Sequence, residues 1–154
     1  MSAGVQQWTS LLTAAVRESL RHVDAGGLPF VGQIVTAAGE VSPYGHNEVL
    51  DSGDPTAHAE IVAMRQVLST QGPESLSGAT LLASGEPCAL CRRFADGHGV
   101  ARIVYAVDSA TAAQWGFDYR NPGPLALVDS SDQLHVPGEL DPFIRHHQLR
   151  SRRS

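Results

Sequence analysis

His58 and Glu60 stand two residues apart in "PTAHAEIVAM" (55–64), and thirty residues on the chain holds its only two cysteines, Cys88 and Cys91, in "EPCALC" (86–91). A spacing of three is close to one helical turn, so both sulfurs face the same side. Behind Pro87 they fall at a helix N-terminus, where unpaired N–H groups and the positive end of the helix dipole favour thiolate over thiol. His58 opens another helix, after a loop. If the two helix starts meet at one edge of a sheet, two thiolates and a neutral imidazole can hold one zinc and leave a fourth tetrahedral position open to water. A catalytic zinc needs that opening, because it lowers the pKa of its water from about 15.7 towards roughly 7. Glu60 is too close to His58 to be an ideal fourth ligand, yet near enough to accept the water's proton and carry it to a leaving group.

Other readings of the same residues exist. Cys-x-x-Cys alone also fits a redox couple, but thioredoxin-type chemistry gains nothing from His58-x-Glu60. A purely structural zinc needs a fourth ligand, for which His98 is the nearest candidate. A zinc-stabilised binding module has no use for Glu60. The joint pattern H-x-E followed by P-C-x-x-C is the known signature of zinc-dependent base deaminases, so the hydrolytic reading rests on a match to that signature.

The elements that must position these groups follow from apolar periodicity. Val5, Trp8, Leu12, Ala15, Val16, Leu20 and Val23 recur at helical spacing up to Gly26-Gly27. "PFVGQIVTAAGEVSPYGHN" predicts two short antiparallel strands around a turn at Gly39-Glu40. Residues 48 to 54 read as polar loop, with Asp54 and Thr56 as candidate caps beside Pro55. Ala57, Ile61, Met64 and Leu68 mark the buried face of a second helix, which Gly72-Pro73 stops. Strands are expected at 79–84, 102–107 and 124–129. Short helices are expected at "CALCRRFADG" and "SATAAQW", and Asp141-Pro142 opens a last one. Strands alternating with helices late in the chain predict a three-layer α/β domain with parallel strands.

The whole chain sets outer bounds. Its 154 residues suit one domain, taken as 1–154, with 145–154 expected to form a frayed basic tail. A formal charge of -5 weighs against nucleic acid as the main partner. The N-terminus lacks a signal-peptide pattern, and no apolar run approaches the roughly 18 residues of a membrane span. A cytoplasmic protein is the expectation.

On "DPTAHAEIVAMR" and "EPCALC", the chain resembles the cytidine deaminase-like superfamily from about residue 10 to 145. Its branch of guanine, cytosine and tRNA adenosine deaminases is the nearest match. The resemblance implies a five-stranded mixed sheet between helices (α/β/α) with strands four and five parallel. It implies Zn2+ on His58, Cys88 and Cys91, with Glu60 as the catalytic proton shuttle. "ATAAQWGFD" (110–118) is similar to the guanine deaminase pattern of paired alanines before Gly-Phe-Asp. Asn47 matches a family asparagine that binds the substrate ring, though it also reads as a turn residue. Phe30 matches a pocket-wall phenylalanine, though it also reads as core. Ala57, Asp118 and Tyr119 complete the substrate contacts that the resemblance implies.

Three departures matter. Tyr119 stands where guanine deaminases usually carry a second aspartate. Val31, Gly32 and Gln33 follow "PF" in place of small residues, and Arg92 and Arg93 replace small residues after the second cysteine. The implied substrate is therefore a free nucleobase: guanine, cytosine, isocytosine or an aminotriazine. A tRNA adenosine or a nucleoside is the alternative, and Arg145, Arg150, Arg152 and Arg153 are what would favour RNA. The resemblance further implies a homodimer, with "DPFIRHHQL" able to exchange between subunits.

Overall fold

The computed structural model describes residues 2–119 and 130–153. One five-stranded sheet runs in the order β2-β1-β3-β4-β5. The strands are β1 (Val31–Val35), β2 (Gly45–His46), β3 (Thr80–Gly85), β4 (Arg102–Val107) and β5 (Ser130–Gln133). β1 pairs antiparallel with β2 and with β3, whereas β3–β4 and β4–β5 are parallel. The mixed sheet with parallel strands four and five is the one that the family resemblance implies.

Helices α1 (Ser2–Asp24), α2 (Val49–Ser52), α3 (Ala59–Gln71), α4 (Ala89–Gly97), α5 (Ser109–Gln114) and α6 (Asp141–Arg153) complete the chain. β1 and β3 are buried at every position, as strands covered on both faces must be. Two apolar clusters result. Ile34, Leu81 and Ile103 pack with Ile61 and Met64 of α3 and Cys91 of α4. Val35, Leu82 and Val104 pack with Leu12 and Val16 of α1 and Phe143 of α6. The alternation of Leu81 and Leu82 between the clusters is the strand period of two, and it makes three layers.

Several expectations change in detail. The second strand is two residues long, and Val41 makes only an isolated bridge to Val35. Pro43 has no N–H to give the ladder, so pairing resumes only at Gly45. The loop at 48–54 contains the one-turn α2. Asp54 and Thr56 do not cap α3: the Asp54 carboxylate accepts from the Thr56 N–H and hydroxyl in a turn before it. The fifth strand is the polar stretch Ser130–Gln133, and the expected strand at 124–129 lies outside the described residues. The basic tail continues α6 to Arg153. It is held by Phe143, by His146 against Phe117 at 5.0 Å and by an Arg145–Asp24 ion pair of 2.7 Å.

Two glycines bring α3 onto the sheet. A methyl group on Gly45 would meet the Ala59 carbonyl and the Ala63 N at 2.5 Å, and one on Gly32 would meet the Glu60 Cα at 2.9 Å. The first turn of α3 therefore rests on bare strand backbone. Gly45→Ala should push α3 outward at a cost of about 1–3 kcal/mol, the usual penalty of overpacking. Gly97→Ala, where a methyl meets nothing within 4 Å, should stay within about 0.5 kcal/mol. Denaturant midpoints of the two variants check this, and equal midpoints would refute the close contact.

Candidate active site and metal centre

The end of β2, the start of β1 and the carboxyl ends of β3 and β4 share one edge of the sheet, as the pairing registers require. Open α/β sheets bind ligands outside the carboxyl ends of their strands. At this edge a cavity of about 190 Å³ is lined by Leu28 and Phe30 before β1, by Asn47 after β2 and by His58, Ala59 and Glu60 at the start of α3. Glu86 and Cys88 after β3, and Tyr119, complete its wall.

The two expected ligand-bearing helix starts do meet here. His58 is the N-cap of α3 and Cys88 the N-cap of α4, both with extended backbone and neither with a side-chain capping bond. Ser, Thr, Asp or Asn would ordinarily fill such positions. Here both side chains turn instead to each other. Cys88 Sγ lies 3.3 Å from His58 Nδ1, and Cys91 Sγ lies 3.6 Å from both. Zinc–sulfur and zinc–nitrogen bonds at tetrahedral angles place ligand atoms about 3.6–3.8 Å apart. The donor set and its spacing therefore fit zinc, and His58, Cys88 and Cys91 are the metal-ligating cluster found among the described residues. His98 stands apart at the far end of α4, against Phe94.

Electrostatics follow from the packing. The neighbouring Cys91 and then His58 hold the Cys88 thiol down to about 4, against some cost of burial. The contact with Cys88 raises His58, and the same contact together with burial pushes Cys91 up. Glu60 is 5% exposed, and its Oε2 is 3.3 Å from Cys91 Sγ. Burial pushes its carboxyl up to about 7, where a group can both take and give a proton at neutral pH.

The remaining sequence candidates divide. Phe30 is both wall and core: it lines the cavity while meeting Phe117, Tyr119 and Phe143 edge-on at 5.2–5.7 Å. Asn47 and Tyr119 also line the cavity, but Ala57 and Asp118 do not. Ala57 precedes the helix, with its carbonyl accepting from Glu48 N, and Ala59 takes the wall position. Across Phe117, Asp118 and Tyr119 burial alternates, so the two rings turn inward and the exposed Asp118 turns out.

Leu28 and Glu86 join the wall without having been singled out, although Glu86 directly precedes Pro87-Cys88. Arg92, read as a change near the pocket, is instead buried behind it. Its Nε donates to the Pro87 carbonyl at 3.2 Å, and its terminal nitrogens donate to Glu86 Oε2 and Ser131 Oγ, each at 3.0 Å. Glu86 Oε1 accepts from Ser109 N at 2.8 Å. This ion pair braces the Cys88 loop against α5 and β5. Arg93 is exposed.

The model of the cytidine and deoxycytidylate deaminase zinc-binding region matches residues 5–107. Guanine deaminase from Bacillus subtilis is 36% identical over 110 residues, which cover 71% of this chain and 70% of that protein. Its crystal structure superposes with a TM-score of 0.66 at 30% identity, covering 92% of both chains. A tRNA-specific adenosine deaminase from Aquifex aeolicus is 38% identical over 80 residues, 52% of each chain. A further structure, solved in complex with 2,6-diaminopurine, shares the fold at a TM-score of 0.73 and 21% identity. It covers 91% of this chain and 79% of that one.

Cys88→Ala and Cys91→Ala should each abolish stoichiometric zinc, since two ligands seldom hold it. Metal analysis of purified protein should give one zinc per chain for the unaltered sequence and far less for either variant. Full zinc in both variants would exclude this cluster.

Proposed function

The chain belongs to the cytidine and deoxycytidylate deaminase zinc-binding family, and from that membership we propose that it removes an exocyclic amino group from a free nucleobase, guanine or a related amino-pyrimidine or aminotriazine. The chain is accordingly a zinc-dependent aminohydrolase. The reaction adds the oxygen of water to the amino-bearing ring carbon, breaks the exocyclic C–N bond and releases ammonia. One observation carries the choice of a free base: a cavity of about 190 Å³ that ends on Glu60 beside His58 and Cys88. Clefts for drug-sized ligands run to about 300–1,000 Å³, so this one suits a single ring system. The similarity to the Bacillus guanine deaminase supports guanine in particular.

His58, Cys88 and Cys91 would hold the zinc, which when bound would supply a water of lowered pKa at neutral pH. Glu60, desolvated and at the first turn of α3, takes the proton of the attacking water. It then passes protons to a ring nitrogen and to the departing amine, as a general acid–base group does. Phe30 presents an aromatic wall for the base, and Asn47 supplies a hydrogen bond at its edge. Arg92 and Glu86 hold the loop that carries Cys88. The same proposal takes the working unit as a homodimer with no nucleic-acid partner. No helix among the described residues is long and apolar enough to cross a membrane.

The Aquifex relative favours a second reading, deamination of adenosine in tRNA. The two readings separate on salt. A neutral base releases no counterions, whereas affinity for RNA falls steeply as salt rises.

Two outcomes are expected. Glu60→Gln should keep its zinc while turnover falls by about 10²–10⁴-fold or more, measured as ammonia release beside metal content. Near-normal turnover in that variant would move the shuttle to another residue. Across free bases, nucleosides and a tRNA anticodon stem-loop, ammonia should come from a free base, with little change between low and moderate salt. Inosine formed in the stem-loop, with every free base untouched, would overturn the free-base reading in favour of tRNA.

A further inference from the structure

β2 is an edge strand, and its ladder to β1 consists of Gly45 and His46 opposite Gly32 and Val31. So short a ladder is a weak hold on its own. The side chains on its two faces must contribute. Gly45 faces α3, since a methyl group there would meet Ala59 and Ala63. The next residue of a strand points to the opposite face, so His46 turns towards α1. One step further the chain returns to the α3 side, and Asn47 lines the cavity.

On the α1 face His46 is well held. Its Nε2 lies 2.6 Å from Glu18 Oε2, and its ring packs at a tilt on that of His22, with centroids 4.5 Å apart. The side chains of His46 and Glu18 are 26% and 15% exposed, so solvent screens their contact only in part. Arg21 Nε donates to Glu18 Oε1 at 2.8 Å. Arg21 first and His46 after it hold the Glu18 carboxyl down to about 2, against some cost of burial. Glu18 is thus an anion at neutral pH, and the imidazole answers it with the proton on Nε2. The His22 ring also fills the space over Gly27, where a methyl group would overlap it. Gly27 and His46 immediately precede the wall residues Leu28 and Asn47. The end of α1 therefore holds two of the chain segments that enter the cavity wall.

Asn47 itself is oriented locally. Its Oδ1 accepts from Val49 N at 3.1 Å, which leaves its amide N–H₂ as a donor. That turn sets the amide relative to residues 47–49. Where the turn sits beside the cavity depends on β2, and so on what holds His46.

Resting on the free-base reading and its Asn47 contact, we infer that His46, held by Glu18, is a positioning residue for the base. Its ring ties the end of β2 to α1 and thereby fixes where the Asn47 amide meets the edge of the bound ring. Glu18 and His46 do not line the cavity, so they act through Asn47 and not on the ligand.

The test is a double-mutant cycle on the zinc-loaded full chain carrying Glu60→Gln, so that no ligand is consumed. Equilibrium binding of guanine, isocytosine, cytosine and the aminotriazine melamine is measured, with zinc content alongside. Glu18→Ala should weaken the best-bound base about three- to tenfold, the ceiling being loss of one buried hydrogen bond. Asn47→Ala should weaken it about tenfold. Combined, the two should bind no worse than Asn47→Ala alone, because no amide remains to be positioned. Glu18→Gln keeps an oxygen acceptor for His46 and should retain most of the parent affinity. His46→Ala removes the ring and should repeat the Glu18→Ala pattern, with zinc content unchanged throughout. Affinity unmoved by Glu18→Ala and His46→Ala, or losses that add to that of Asn47→Ala, would overturn this inference alone. Glu18→Gln binding as weakly as Glu18→Ala, or zinc lost from either alanine variant, would do the same. Asn47→Ala without effect would overturn the Asn47 contact and this inference with it. Protein that binds none of the four bases would overturn the free-base reading as well.

Discussion

The site depends on how closely one helix can approach a sheet. The first turn of α3 carries His58 and Glu60, and it touches the backbone of β1 and β2 because Gly32 and Gly45 have no side chains to hold it off. That contact buries Glu60 and denies its carboxyl the solvent that would keep it an ordinary acid. It also aims His58 along the sheet edge towards the loop after β3. A helix displaced by one methyl group would lose both effects together, because both belong to the same turn.

The second helix start needs a different device. α4 follows β3 through Glu86 and Pro87, and the buried Arg92 ties that loop to α5 and β5. Removing either partner of a buried ion pair leaves an uncompensated charge, so such a pair fixes position even where it adds little net stability. The two N-cap positions are thereby held at ligand distance, although neither side chain stabilises its own helix in the usual way. Local helix stability is given up at two caps and regained through packing on the sheet.

The cavity shows the same exchange. A phenol hydroxyl with no hydrogen-bond partner among the described residues and a carboxyl without solvent are each unfavourable for the free protein. They persist because two apolar clusters hold the surrounding elements in place. Such departures from local rules concentrate where a protein meets its ligand.

Much of this was legible along the chain. His58, Glu60, Cys88 and Cys91 were readable because their chemistry and spacing are local: a turn of helix sets the sulfurs on one side, whatever the remaining fold does. The apolar runs at 79–84 and 102–107 marked buried strands for the same reason. The sequence did not reveal β5, because an edge strand of Ser, Ser, Asp and Gln needs no apolar signal. Nor did it place Arg92, read as a change near the pocket, in its buried contacts with Glu86 and Ser131, 6 and 39 residues away. That the cavity wall took Ala59 rather than Ala57, and Tyr119 without Asp118, was decided by where α3 begins and by which way burial alternates along 117–119. Residue type and short-range spacing thus determined the kind of chemistry. The tertiary structure decided which groups were desolvated and which met across the sheet edge, because burial and contact depend on elements far apart in sequence.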